Sequence, residues 1–120
     1  MTHARLKRLA PAQQQAEVKA ADAVLQGFTG RAHHPFRPPH GEATPSMLWR
    51  TLRGQQRLVL WSVDSLDYTL EAGAVVQRLQ DWPLSGGDIL LFHDDGPVAT
   101  EALAQLLPAW RSRGLTLAAL

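Results

Sequence analysis

Three polar clusters stand at the ends of short apolar runs, and they hold the residue types of acid–base chemistry. Asp64 and Asp67 close the run Leu58 to Val63, within Leu60-Trp61-Ser62-Val63-Asp64-Ser65-Leu66-Asp67-Tyr68. Arg37-Pro38-Pro39-His40-Gly41 comes before it, and Leu91-Phe92-His93-Asp94-Asp95 comes after. Strand ends are where α/β sheets and barrels place their chemistry. Each residue also has a plainer reading. A single histidine at a strand end, such as His93, is by itself more often structural than catalytic. Asp67 reads as a loop cap or turn residue, and Arg37 as one side of a surface ion pair. Pro38-Pro39 reads as a surface turn. His33 and His34 read as turn or solvent-facing residues with no metal-ligand spacing.

The elements that position these clusters follow from periodicity. Pro11 suits a first helical turn, and Ala12 to Gly27 is rich in good helix formers. Ala16, Ala20, Ala23 and Val24 share one face, which is the face expected to be buried. Gly27 or Gly30 ends this helix. Pro35, Pro38 and Pro39 forbid a helix after it, leaving a short extended piece, His34 to Arg37, and a rigid loop through Gly41. Ser46 to Arg53 reads as a helix capped by Ser46. Leu58 to Val63 is short, partly β-branched and preceded by the polar segment Arg53 to Arg57, so it reads as a buried strand. Leu70 to Trp82 is helical, with a stripe at Ala72, Val75, Val76 and Leu79. Ile89 to Phe92 is a second buried strand. Val98 to Arg113 is the last helix, with Ala102, Leu103, Leu106 and Trp110 inward and Pro108 a candidate kink. Leu115 to Leu120 reads as a terminal strand.

Strands alternating with helices imply parallel βαβ units. So few strands make a small open parallel sheet, which needs further strands to cover its edges. The pattern therefore reads as part of a barrel or of a larger α/β layer. Size sets one domain at most, and by the pattern above residues 1–120 read as a portion of a larger one; the composition of the 120 residues, 45% hydrophobic and 19% charged, is ordinary for a soluble globular chain. A net charge of +1 gives no reason to expect a nucleic-acid or anionic-membrane partner. Cysteine is absent, which excludes disulfides and thiolate metal sites. No run approaches the length of a transmembrane helix. Met1 to Leu9 is basic but has no apolar core after it, so it does not read as a signal peptide, and the compartment stays open.

Together the three clusters resemble motifs of the NodB-type polysaccharide deacetylases, carbohydrate esterase family 4. Arg37-Pro38-Pro39-His40-Gly41 is similar to the family's R-x-P-(aromatic or His)-G motif. Asp64-Ser65-Leu66-Asp67-Tyr68 is similar to its D-x-x-D-W motif, with Tyr68 in place of Trp. Leu91-Phe92-His93 is similar to its L-x-H motif. Their order and spacing fit, as does the ending, a helix followed by Arg113-Gly114-Leu115. Phe92-His93-Asp94-Asp95-Gly96-Pro97 also resembles the family's first-strand T-F-D-D-G-P motif, but His93 interrupts it and the ordinary ending argues against a permuted chain.

The resemblance implies a fold, a reaction and a set of roles. The implied fold is α/β, a partial (β/α) barrel of the NodB type lacking the first strands. The implied reaction is metal-dependent hydrolysis of N-acetyl groups on a polysaccharide or oligosaccharide, a hydrolase acting on non-peptide carbon–nitrogen bonds. The family holds a divalent metal, commonly zinc, with one Asp and two His, and the metal activates the attacking water. Thr2-His3-Ala4-Arg5-Leu6 is similar to the second half of its histidine motif, which makes His3 a ligand of an incomplete site. Neither the first histidine nor the T-F-D-D motif occurs in the 120 residues. By the same resemblance, His93 is the general acid that protonates the leaving amine. Asp64 is the carboxylate that pairs with His93 and keeps it charged. Arg37 orients the catalytic base, the His40 backbone N–H donates to the oxyanion, and Leu91 and Tyr68 line the acetyl pocket. The expectation is a truncated domain, weakly active or inactive as given and poorly stable, because a metal site lacking two of three ligands does not form. The alternative is a non-catalytic remnant or interaction module with the same fold.

Overall fold

The computed structural model describes residues 6–119. The chain divides into two compact units, Met1–Leu60 and Trp61–Leu120.

The first unit opens on a short 3-10 turn, Leu6–Arg8, followed by helix α1, Pro11–Thr29. Pro11 takes the first helical position, where its missing N–H is not needed. The Gln13 side chain accepts from the Ala10 backbone N–H at 3.0 Å. Gly30 ends the helix in the left-handed conformation, φ 69°, with its N–H on the Gln26 carbonyl. The buried side of α1 differs from the alanine face expected. Ala16, Ala20, Ala23 and Val24 are all exposed, and the buried residue is Gln14. Alanine gains little from burial, whereas Gln14 finds a partner for every polar direction. Its Nε2 donates to the Leu6 and Leu9 carbonyls at 3.0 and 2.9 Å. Its Oε1 accepts from the Thr44 and Ser46 hydroxyls at 2.9 and 2.8 Å.

Helix α2 spans Pro45–Leu52. Its cap is Thr44, whose Oγ1 accepts from the Met47 N–H at 3.4 Å, while Ser46 is turned to Gln14 instead of capping. The extended piece before α2 and the one after it meet in a parallel bridge, Phe36 with Leu58. The Phe36 N–H donates to the Arg57 carbonyl at 2.8 Å and the Val59 N–H to the Phe36 carbonyl at 2.9 Å.

The second unit is a βαβα arrangement. Strand β1, Val63–Asp64, lies parallel to β2, Leu90–Leu91, with Val63 opposite Leu90 and Asp64 opposite Leu91. Helix α3, Ala72–Gln80, connects them, and α4, Val98–Ser112, follows. The parallel pairing is as expected, but both strands are shorter than the apolar runs that contain them. A strand extends only as far as its neighbour supplies ladder partners. For the same reason no strand forms over 115–119 among the described residues, contrary to the expected terminal strand.

The core of this unit is Val63, Val75, Leu79, Ala102, Leu106 and Trp110. It joins the inward faces of α3 and α4, which the helical stripes anticipate. Arg113 locks the two helix ends together, donating to the Gln80 and Trp82 carbonyls at 2.9 and 3.0 Å. At the incoming ends of the strands, Asp88 accepts from the Ser62 hydroxyl at 2.7 Å and from the Ser85 N–H at 2.8 Å. These bonds hold the Asp88 carboxyl below its ordinary pKa, the Ser85 N–H contributing most.

Candidate functional site

In the second unit the chain leaves β1 through a tight turn. The Asp64 carboxylate accepts from the Leu66 N–H at 3.0 Å, an Asx-type turn. Leu66 then adopts φ 61°, a left-handed conformation uncommon outside glycine. Its carbonyl accepts from the Thr69 and Leu70 N–H groups at 3.0 and 2.9 Å. This turn directs Ser65 and Asp67 inward, where both are buried.

Asp67 meets His93 there. One carboxylate oxygen of Asp67 lies 2.7 Å from His93 Nδ1, and the other accepts from the His93 backbone N–H, also at 2.7 Å. The Ser65 hydroxyl donates to Asp67 at 2.9 Å and accepts from the Asp67 N–H at 3.2 Å. Burial pushes the Asp67 carboxyl up, but the His93 backbone N–H, the His93 ring and the Ser65 hydroxyl together outweigh it, and the pKa lies below the ordinary carboxylate value. An ionised carboxylate only accepts, so His93 Nδ1 carries the proton. Nε2 is the ring nitrogen left for chemistry. Tyr68 stands edge-on to this ring, with centroids 5.0 Å apart and planes at 74°. Leu91 lies on β2 beside the turn, its carbonyl accepting from the Ser65 N–H at 3.2 Å.

The pairing expected of Asp64 is therefore made by Asp67. Asp64 spends a carboxylate oxygen on its own turn, while the left-handed Leu66 carries Asp67 to the end of β2. The plainer reading of Asp67 as a turn residue misses this role, and Ser65 escapes notice altogether. A signal was present in the alternation of the strand, which places Val63, Ser65 and Asp67 on the same, buried side.

Arg37 and His40 lie in the first unit, on the loop that follows Phe36. Pro38 is buried, and a short 3-10 turn spans Pro39–Gly41, with His40 at φ 58° and Gly41 at φ 67°. Two successive left-handed residues reverse the chain so that the Gly41 N–H returns to the Pro38 carbonyl at 3.0 Å. The Arg37 and His40 side chains are exposed. His3 lies outside the described residues. Among the described residues no group of three His, Cys, Asp or Glu side chains could hold a metal ion. The residues described thus do not fit the metal that the resemblance implies.

Residues 1–57 match the polysaccharide deacetylase family model, a stretch that includes Arg37–Gly41. An uncharacterised protein of Streptomyces coelicolor is 33% identical over 120 residues, covering 96% of this chain and 46% of that protein. A bifunctional xylanase/xylan deacetylase of Cellvibrio japonicus is 28% identical over 100 residues, which cover 82% of this chain and 15% of that protein. Among solved structures, a family 4 carbohydrate esterase from Streptomyces lividans, in complex with acetate, superposes with a TM-score of 0.84 at 26% identity. That match covers 98% of this chain and 61% of the esterase. The chain spans less than half of the curated relatives it matches. Its fold is α/β, a partial (β/α) barrel of the NodB type. By these matches the chain is similar to the polysaccharide deacetylases of carbohydrate esterase family 4.

Proposed function

We propose that this protein serves hydrolysis of acetyl groups from an N-acetylated polysaccharide or oligosaccharide, and that the residues described here supply the acid side of that reaction. The observation that carries the reading is the clamp of Asp67 on His93, through both the ring and the backbone N–H. A histidine held at Nδ1 by a buried carboxylate presents Nε2 in a fixed direction. With a proton on Nε2, His93 donates it to the leaving nitrogen as the C–N bond breaks, releasing acetate and a free amine. Asp67 acts through His93 as a positioning residue, the role that the resemblance implies for Asp64. Tyr68 and Leu91, which flank the ring and the turn, form the wall for the acetyl group. Arg37 orients the catalytic base, and the His40 N–H, fixed by its left-handed turn, serves the oxyanion. The xylan deacetylase name of the Cellvibrio relative supports a glycan substrate. No helix among the described residues is long and apolar enough to cross a membrane.

Acetate release from chitin-type oligomers and from acetylated xylan by the native protein tests the reading. His93→Gln is expected to lower the rate by roughly 10²–10⁴-fold, the usual contribution of a positioned acid. A native protein that releases no acetate from either polymer class would leave the non-catalytic module as the correct reading. The geometry then describes an inherited site.

A further inference from the structure

The chain's net charge of +1 conceals a division between its two units. Residues 1–60 hold nine Lys and Arg against three Asp and Glu, whereas residues 61–120 hold three against eight. Within the first unit the imbalance is sharpest around α2. From Ala43 to Leu60 there are three arginines, Arg50, Arg53 and Arg57, and no acidic residue.

The two sides of α2 differ in kind. The inward side carries Met47, which is fully buried, and the Ser46 hydroxyl, which donates to Gln14 at 2.8 Å. Arg50 ties the helix down by donating to the Pro11 carbonyl at 2.9 Å. Leu48, Trp49 and Leu52, related by steps of three and four residues, share another side. They are 48%, 57% and 81% exposed. Single apolar residues on a surface need no explanation, but three large ones on one helix face mark a contact site. Arg53 caps that face, its guanidinium 4.8 Å from the centre of the Trp49 ring. Arg57 is exposed as well, and neither Arg53 nor Arg57 has an ion-pair partner among the described residues.

These residue types select the occupant. A soluble polyanion would pair with the arginines and leave Leu48 and Leu52 in water. A second copy meeting this face with its own would bring like charges together, with no carboxylate from Ala43 to Leu60 to offset them. An anionic lipid surface meets both demands. The leucines and the indole enter the boundary between headgroups and acyl chains, while the arginines stay at the level of the phosphates.

We infer that the outward face of α2 docks on an anionic lipid membrane, with the protein lying on the surface. The inference does not depend on the deacetylase reading, since none of these residues belongs to that site. Flotation of the native protein with vesicles tests it, using phosphatidylglycerol mixed with phosphatidylcholine against phosphatidylcholine alone. Binding to the anionic vesicles is expected to be at least about tenfold tighter and to weaken as salt is raised. Arg53→Gln and Arg57→Gln are each expected to weaken it about fivefold. Leu52→Ser is expected to weaken it about tenfold. All three positions are exposed, so the variants should melt like the unmodified protein. Equal binding to neutral vesicles overturns the role of charge, and binding that Leu52→Ser leaves unchanged overturns the role of the apolar face. Dextran sulfate bound as tightly as the vesicles, with Leu52→Ser affecting neither, reassigns the face to a soluble polyanion. Absence of binding to anionic vesicles overturns the inference, and loss of a solution dimer in Leu52→Ser would then assign the face to a second copy.

Discussion

Asp67 holds three hydrogen bonds from two residues while nearly sealed from water, and that makes it the most consequential side chain of the second unit. Truncation to Ala strands the His93 N–H and the Ser65 hydroxyl, so Asp67→Ala is expected to destabilise the fold by about 2–3 kcal/mol at neutral pH. The pH dependence has a definite sign. The folded pKa of Asp67 lies below its unfolded value of about 3.9. Its contribution is therefore complete above that value and is lost as pH falls through the folded pKa. Denaturant midpoints measured from pH 7 down to about pH 2 should fall at the acid end, and Asp67→Asn should flatten that fall. Asp88 also titrates low, so Asp88→Asn is the necessary comparison. An Asp67→Asn profile parallel to that of the unmodified chain would mean the clamp contributes nothing. Which aspartate meets His93 depends on the backbone angle of Leu66, and residue types do not reveal a left-handed leucine. The alternation through Val63, Ser65 and Asp67 did carry the answer, but the motif resemblance drew the role to Asp64.

Helices were legible where large apolar side chains repeat, because a stripe of them has only one way to be buried. Val75 and Leu79 on α3, with Ala102, Leu106 and Trp110 on α4, face the core as their spacing requires. Helix α1 was illegible in the same terms. An alanine face says little about direction, and the residue that decides the packing is a glutamine satisfied by four oxygen partners. Strand lengths were overread, since an apolar run does not specify where its neighbour stops pairing. The α1 reversal gives an expectation opposite to that of simple hydrophobic patterning. Gln14→Ala is expected to cost about 2–3 kcal/mol, because carbonyls and hydroxyls that it joins lose their partners. Val24→Ala, at a position 52% exposed, is expected to change stability by no more than about 0.5 kcal/mol. Chemical denaturation of the two variants checks both. A larger loss from Val24→Ala than from Gln14→Ala would restore the alanine face as the buried one.

At the scale of the molecule, the likeness to the deacetylases and the clamp on His93 make a joint claim about bond breaking. An amide nitrogen leaves poorly unless protonated, whereas an activated aryl ester leaves readily as the anion. An acid at Nε2 therefore matters for the first substrate and hardly at all for the second. A histidine that only packed against Tyr68 and Asp67 would, on removal, disturb both reactions alike. In the native protein, His93→Gln is thus expected to depress acetate release from an N-acetylated oligosaccharide by roughly 10²-fold or more while leaving aryl acetate hydrolysis within about tenfold. Asp67→Asn should follow the same pattern more weakly, since it misdirects the ring without removing it, and misplacement by an ångström can cost about 10²-fold. Thermal melts of both variants separate a lost proton donor from a lost fold. Equal losses on amide and ester, in variants that melt like the unmodified protein, would strip His93 of its acid role and leave the Ser65–Asp67–His93 network as a brace for the end of β1.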